Sequence, residues 1–392
     1  MTDLAESPQL SDVIAVLEGM YDPRWARDWD AVGLAVGDPS AKVSRVLLAV
    51  EASPAVIEEA LAWQADLLIT HHPLLFRPVT SVSTQTAPGA AVHSLIRGGC
   101  ALYTLHTNAD VAVPGVSDAL ARVLGLTDLV PIDADPADPL DKIVTFVPED
   151  HAQAVLDALA TAGAGRIGDY SRCAWTSAGV GTFEPGPGAN PSVGAPGERV
   201  EVAEQRLESV FPRHRRSEVV AALRTSHPYE EPAFDVLELA SWSGPRGIGR
   251  IGRLSAATTL RDFAMLVAEA LPGTAQGVRV AGEPTATVSR VAVCGGSGDS
   301  LLGAVRASGA DVYVTADLRH HPASGLRDEA GEGPPYLIDV AHYASEWPWL
   351  AGLANRLEGA LDAAGRKIEA HVSVRSTDPW TFRVPSPGGV VR

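Results

Sequence analysis

The sequence predicts an α/β protein: a metal-binding α/β domain, split in the chain and interrupted by an inserted ferredoxin-like α+β domain. Three observations carry this. Short apolar runs alternate with helix-period segments in the first third, and strand–helix alternation of this kind reads as a largely parallel sheet. The same rhythm resumes in the last third. Between them lies a stretch of different texture, with two strand–helix–strand units joined by a Gly/Pro-rich loop, the composition of a compact ferredoxin-like unit. The expected boundaries are 1–135 and 255–392 for the two halves of the α/β domain, and 136–254 for the insert.

Taken in order, "LSDVIAVLEGMY" places Val13, Val16, Leu17 and Met20 on one helical face, with Ser11 as its N-cap. "RVLLAVEA" (45–52) is a buried-type strand. A helix follows, with Ser53 as cap, Pro54 at its first position and Val56, Ile57 and Leu61 inward. "DLLIT" is a strand, "AAVHSLIRGG" a helix, "CALYTLH" (100–106) a strand and "SDALARVLGL" a helix. "PIDADPADPLDK" (131–142) reads as a Pro/Asp-rich joint. The insert then carries a strand and helix in "IVTFVPEDHAQAVLDALATAG", the loop 181–198, and a second unit from Gln205 to Leu239. After "SWSGPRGIGRIGRL" the α/β rhythm resumes with helix 258–271, strand 288–294, helix 299–307, strands 311–315 and 336–340, and helix 347–362.

Acidic residues outnumber Lys and Arg by 48 to 31, and no polybasic run offsets the formal charge of −17, so nucleic acid is not an expected partner. The three cysteines, Cys100, Cys173 and Cys294, are far apart and odd in number, which fits a reducing cytoplasm and no CxxC metal site. The start of the chain has neither the basic nor the apolar region of a signal peptide, and no apolar stretch reaches membrane-span length.

Three apolar runs end in residues of metal-ligand type. "LLIT" is followed by His71 and His72, "LYTL" by His106 and then Asp110, and "YLIDVA" by His342 and then Glu346. Adjacent strand residues point to opposite faces, but at a strand's end the pleat gives way, and Pro73 holds His72 extended, so both imidazoles can reach one cavity. Each signal alone has an ordinary reading: a hydrogen-bonded strand-end His, a first-turn Glu favouring the helix dipole, an Asp serving a turn. Together they fall at the carboxyl ends of strands, where sites gather in open α/β sheets. Histidines with carboxylates form a mixed N/O set suited to zinc, iron(II) or manganese, and one catalytic zinc takes only about three protein ligands. Two ions, with a carboxylate able to bridge them, suit the larger set.

Other signals are weaker. "CGGSGDSLL" is a strand–Gly turn–helix, but Leu301 stands where a third glycine would complete GxGxxG, so a tight turn is the plainer reading. "RHHP" repeats the His-His-Pro pattern after a polar turn, which makes His321 a candidate acid/base or substrate contact. The Glu pair in "HPYEEPAFD" reads as turn and surface, with a domain-interface motif as the alternative that the resemblance described next keeps open.

"WDAVGLAVGDP", "LLITHHPLLFRP", "LHTNADVAVPGVSDAL", "VAVCGGSGDSLL", "DVYVTADLRHHP", "LIDVAHYASEW" and "STDPW", in this order, resemble the Nif-three-like family, also labelled GTP cyclohydrolase I type 2. The middle segments "GRIGDYSRCAW", "GTFEPGPGANP" and "SHPYEEPAFDV" resemble the PII/CutA-like insert of its longer members. The resemblance implies a dinuclear divalent-metal centre held by His71, His72, Asp110, His342 and Glu346, in a homohexamer whose sites face an inner cavity. It makes His106 a neighbour or proton carrier, not a ligand; hydrogen bonds from His106 or Asn108 are expected to orient the ligands. Two departures stand out: Ala31 where members usually have Asn, and Glu51 where Asp is common. The expected function is a dinuclear metal hydrolase of cyclohydrolase or nucleotide-hydrolase type, acting on a small nucleotide-like substrate away from membranes. The rival is a non-catalytic metal-binding scaffold or metal chaperone with a ligand-sensing insert.

Overall fold

The computed structural model describes residues 7–384; residues 1–6, part of the stretch read for a signal peptide, lie outside the described residues. The chain forms two compact units. One runs to Asp135 and resumes at Pro245; the other is Pro136–Gly244. The larger unit resumes at Pro245, where the expectation had 255, within the strand Ser243–Thr259 that contains "SGPRGIGRIGRL".

The larger unit holds two sheets. In the first, the order is Gly33–Val36, Ala101–Thr104, Leu67–Thr70, Arg45–Ala49 and Glu369–Val372, parallel except for the first pair. In the second it is Arg279–Ala281, Tyr336–Val340, Val312–Ala316, Thr287–Ser297, Ser243–Thr259 and Thr127–Pro136. There the three strands from Tyr336–Val340 to Thr287–Ser297 are parallel, and the neighbours outside them are antiparallel where pairing is defined. Each sheet takes an edge strand from the other half of the chain: Glu369–Val372 closes the first, Thr127–Pro136 the second. The Pro/Asp-rich "PIDADP" is therefore strand, and its prolines are tolerated because an edge strand leaves one row of backbone groups unpaired.

One continuous core joins these sheets. Val46, Leu48, Leu67 and Ile69 of the first pack with Val291, Val293, Val312, Val314 and Ile338 of the second, around Trp349, Leu350, Leu353, Leu357 and Leu361 of the helix Pro348–Ala363. Strands buried on both faces read as unbroken apolar runs, which is why "VLLA", "LLIT" and "VYVTA" show no alternation. The first helix spans Leu10–Met20 and starts one residue before the expected cap Ser11. Its end is closed by Asp12, whose carboxylate accepts the Gln9 N–H at 2.8 Å. Ser53 does cap the next helix, accepting the Val56 N–H at 3.3 Å.

The smaller unit has the element order β-α-β-β-α-β. Its antiparallel sheet runs Trp175–Phe183, Val200–Pro212, Leu140–Pro148, Phe234–Glu238, and helices Ala152–Thr161 and Arg216–Ser226 cover one face. Ile143, Val147, Leu207 and Phe211 meet Val155, Leu159, Val219 and Leu223 in its core.

Candidate metal centre

The parallel strands of both sheets end at one place. Leu67–Thr70 delivers His71 and His72, Ala101–Thr104 delivers His106 and the short helix bearing Asp110, Tyr336–Val340 delivers His342 and Glu346, and Val312–Ala316 delivers Asp317. After Thr70 the chain bends: Thr70 Oγ1 donates to the His72 carbonyl at 2.9 Å, and the two adjacent imidazoles turn to one side with centroids 5.0 Å apart. The rings of His72 and His342, 270 positions apart in the chain, lie 5.1 Å from each other. The joint placement expected of the strand-end histidines is what the fold produces.

Glu346 stands at the centre. Its side chain is 3% exposed, and a carboxylate that deeply buried demands positive charge around it. Oε1 lies 2.9 Å from His342 Nε2 and 3.5 Å from His71 Nε2; Oε2 lies 3.1 Å from His72 Nε2. Asp110 Oδ1 approaches His71 Nε2 at 3.6 Å. All five residues expected as ligands therefore face one another. His106 is there too: its ring is 5.1 Å from that of His71 and 5.5 Å from that of His72, and the ring nitrogens of the three could share one ion. A second such group comprises His72, His342 and Glu346.

Every imidazole is anchored by Nδ1 with Nε2 left for the centre. His71 Nδ1 donates to the Leu105 carbonyl at 2.8 Å, His72 to Glu51 at 3.1 Å, His106 to Asp30 at 2.8 Å and His342 to Asp317 at 2.7 Å. Carbonyls and ionised carboxylates only accept, so each anchor keeps a proton on Nδ1 and leaves Nε2 as the nitrogen that can give up its proton to an ion, the usual arrangement behind metal-ligating histidine. Glu51, read from sequence as a departure, reaches His72. Asp30 also accepts from Thr107 N–H at 3.0 Å. Burial would raise its carboxyl, but the bonds from His106 and Thr107 hold it well below the usual range.

The electrostatics describe a pocket short of cations. Burial would raise Glu346, yet the charges of His72, His71 and His342 hold it well below the carboxylate range. Burial pulls His72 and His342 down, but Glu346, with Glu51 and Asp317 behind the rings, pushes them up to about 10 and about 11. Burial pushes Asp110 up against the pull of His71. His71 Nε2 is buried without a hydrogen-bond partner, and such an orphaned atom costs free energy unless a cation meets it. The donor set, its anchors and this orphaned atom fit divalent metal.

Gly296 makes the room. At φ +70° it sits in the left-handed region, and a Cβ there would lie 2.6 Å from Glu346 Oε1 and 3.2 Å from His342 Nε2. The "CGGSGD" turn thus serves the cluster. Asp317 is itself held at φ +53°, a strained position for a residue whose carboxylate must reach His342. His321 is exposed at the start of the helix His320–Ala330 and meets His320 edge-on with centroids 5.1 Å apart; among the described residues no hydrogen bond, ion pair or ring contact joins it to the cluster. Asn108 points elsewhere: its amide donates to the Tyr21 carbonyl at 2.9 Å, while its Oδ1 accepts the His106 N–H at 3.0 Å. Burial pushes the Cys100 and Cys294 thiols up to about 12, so neither supplies a thiolate near neutral pH. Asp30, Asp317 and Gly296 were not singled out as functional from sequence, although "WDAVGL", "TADLRHHP" and "CGGSG" contain them.

A sequence model of the family described as Duf34/NIF3 (NGG1p interacting factor 3) matches residues 8–379. A Mycobacterium tuberculosis protein named "GTP cyclohydrolase 1 type 2 homolog" is 50% identical over 377 residues, 96% of this chain and 97% of that one. A Bacillus subtilis protein of the same name is 36% identical over 384 residues, covering 97% and 100%. The crystal structure of a Bacillus cereus protein related to NIF3 superposes with a TM-score of 0.82 at 35% identity, over 96% of this chain and all (100%) of that one. Among the described residues no helix is long and apolar enough to cross a membrane.

Proposed function

This chain belongs to the Duf34/NIF3 family, and from that premise we propose that it is a metal-dependent hydrolase acting on a small nucleotide-like substrate. The observation that carries the reading is Glu346, a buried carboxylate with one oxygen facing His342 and His71 and the other facing His72. A carboxylate so placed would help to hold divalent metal together with the histidines that it faces. His71, His72 and His342 would give neutral imidazole nitrogen, and Asp110 and Glu346 the compensating negative charge. Divalent ions supply Lewis acidity: they acidify water and polarise the bond under attack. The rest is the work of the chain. Leu105, Glu51 and Asp317 keep the ligand imidazoles in register, and Trp349, 5.5 Å from the His71 ring, walls the inner side. His106, held by Asp30 at the rim, is positioned to hold or pass a proton; His321, also considered for this, lies outside the cluster.

The names of the relatives point to a GTP-type substrate, and the present reading extends that to phosphorylated or cyclic nucleotides. The unit Pro136–Gly244 is read as an inserted ferredoxin-like, PII/CutA-like domain, and the assembly as a cytoplasmic homohexamer. Purified protein incubated with a nucleotide panel, with and without chelator, tests the function. Turnover that disappears in His72→Ala and with chelator supports the enzyme. Bound metal with no turnover of any nucleotide favours the scaffold or chaperone.

A further inference from the structure

The smaller unit contains a cavity of about 630 Å³, within the range of roughly 300–1,000 Å³ typical of small-molecule sites. It lies on the sheet face that the helices leave open. Successive strand residues alternate in direction, so Leu207 enters the core beneath the helices while Glu204 and Arg206 point the other way. The Gly/Pro-rich loop after Phe183 and the "HPYEEP" segment supply its walls. Neither segment has a part in the metal cluster.

The chemistry of the walls is specific. Phe183 and Tyr229 present aromatic surface, with their rings 5.6 Å apart at 61°. Glu204, Glu230 and Glu231 also line the cavity. Glu204 is only 8% exposed and forms no ion pair among the described residues; its one hydrogen bond comes from Tyr229 OH to Oε1 at 2.7 Å. Gly181 leaves space for the other oxygen, since a Cβ there would lie 2.1 Å from Oε2. The one basic lining residue, Arg206, is already committed: it bonds Glu208 at 2.8 Å and lies over the Phe146 ring. A buried, unneutralised carboxylate beside aromatic faces is complementary to positive charge on an apolar body, through ion pairing and cation–π attraction together.

We propose that this cavity is a second binding site, distinct from the metal cluster, for a small organic cation such as an amine or quaternary ammonium compound with an aromatic or branched apolar body. Glu204 is the charge partner, Phe183 and Tyr229 the aromatic wall, and Glu230 and Glu231 the acidic rim.

Calorimetric titration of the full chain with benzyltrimethylammonium tests this, with benzyl alcohol and phenylacetate as neutral and anionic counterparts. The expected result is one cation bound per chain, about tenfold or more tighter than either counterpart. Glu204→Gln should weaken it by at least about tenfold while leaving the divalent-metal content of the protein unchanged. No binding of the cation, equal or better binding of phenylacetate, or an unaltered affinity in a folded Glu204→Gln overturns the proposal. Should that variant not fold, Gly179→Trp decides: Gly179 lines the cavity, pairs with Glu204 across the two strands and has open space where its side chain would start, so the added ring fills the cavity and must abolish binding.

Discussion

Glu346 and the rings around it set the chemistry. Glu346→Gln keeps the shape but removes the charge that three histidines surround, and the expected outcome is loss of divalent-ion binding, read by elemental analysis of the purified variant. His321→Ala should leave the metal content at the wild-type level, because that ring lies outside the cluster. Asp317→Asn removes the charge that anchors His342; support of this kind is worth about 10–100-fold in metal affinity, which a competition titration with a chromogenic chelator reads. The pH behaviour follows from the imidazoles. His72 and His342 titrate at about 10 and about 11 without metal, so both are protonated at neutral pH and must shed protons to bind an ion. Adding zinc at neutral pH in weak buffer should therefore release protons, and affinity should climb as pH rises toward about 10. The metal-free protein behaves oppositely. Both folded pKa values lie above the ordinary histidine value near 6.5, so this stabilisation is complete below 6.5 and is lost as pH rises through about 10 to 11. An affinity that does not change with pH would contradict this account.

At the scale of elements, the site is a property of strand ends. Gly296 ends its strand in a left-handed turn pressed against Glu346 and His342. Gly296→Ala should cost about 1–3 kcal/mol in backbone strain and also reduce metal content, since the added methyl occupies the space beside Oε1. A variant with wild-type metal content would show that the turn serves the fold alone. This scale also explains what sequence reading could reach. His71, His72, His106, Asp110, His342 and Glu346 were legible because each follows an apolar run too buried to be anything but an inner strand. Asp30 and Asp317 were not. Their importance lies in which imidazole they touch, and no local pattern encodes a partner 76 or 25 positions away. "RHHP" misled in the opposite sense: it repeats the motif, but its histidines begin a surface helix. The strands Thr127–Pro136 and Ser243–Thr259 were hidden by Pro, Asp and Gly, which edge positions and turns tolerate and propensity does not foresee.

At the scale of the larger unit, the two halves of the chain are bound by exchanged edge strands and by one buried ion pair. Arg250, 1% exposed, bonds Asp118 at 2.8 Å and the Ala112 carbonyl at 2.6 Å, so the second half grips the first behind Asp110. Asp118→Ala strands the guanidinium, and the expected loss is about 3–5 kcal/mol in urea unfolding; a loss near zero would mean that the surrounding carbonyls suffice. The histidine–carboxylate cluster is the other contact between the halves, with His71, His72 and Asp110 from one and His342 and Glu346 from the other. An ion that binds only when they meet stabilises the folded unit, by about 2.7 kcal/mol at a hundredfold excess over its dissociation constant. Melting should therefore shift upward with zinc or manganese and downward with chelator. The most direct test is the number of divalent ions per chain in native protein purified without chelator, compared with Glu346→Gln prepared in parallel. The account predicts two in the first and loss of both in the second. Fewer than one ion in the native protein, or ions retained without Glu346, would contradict it.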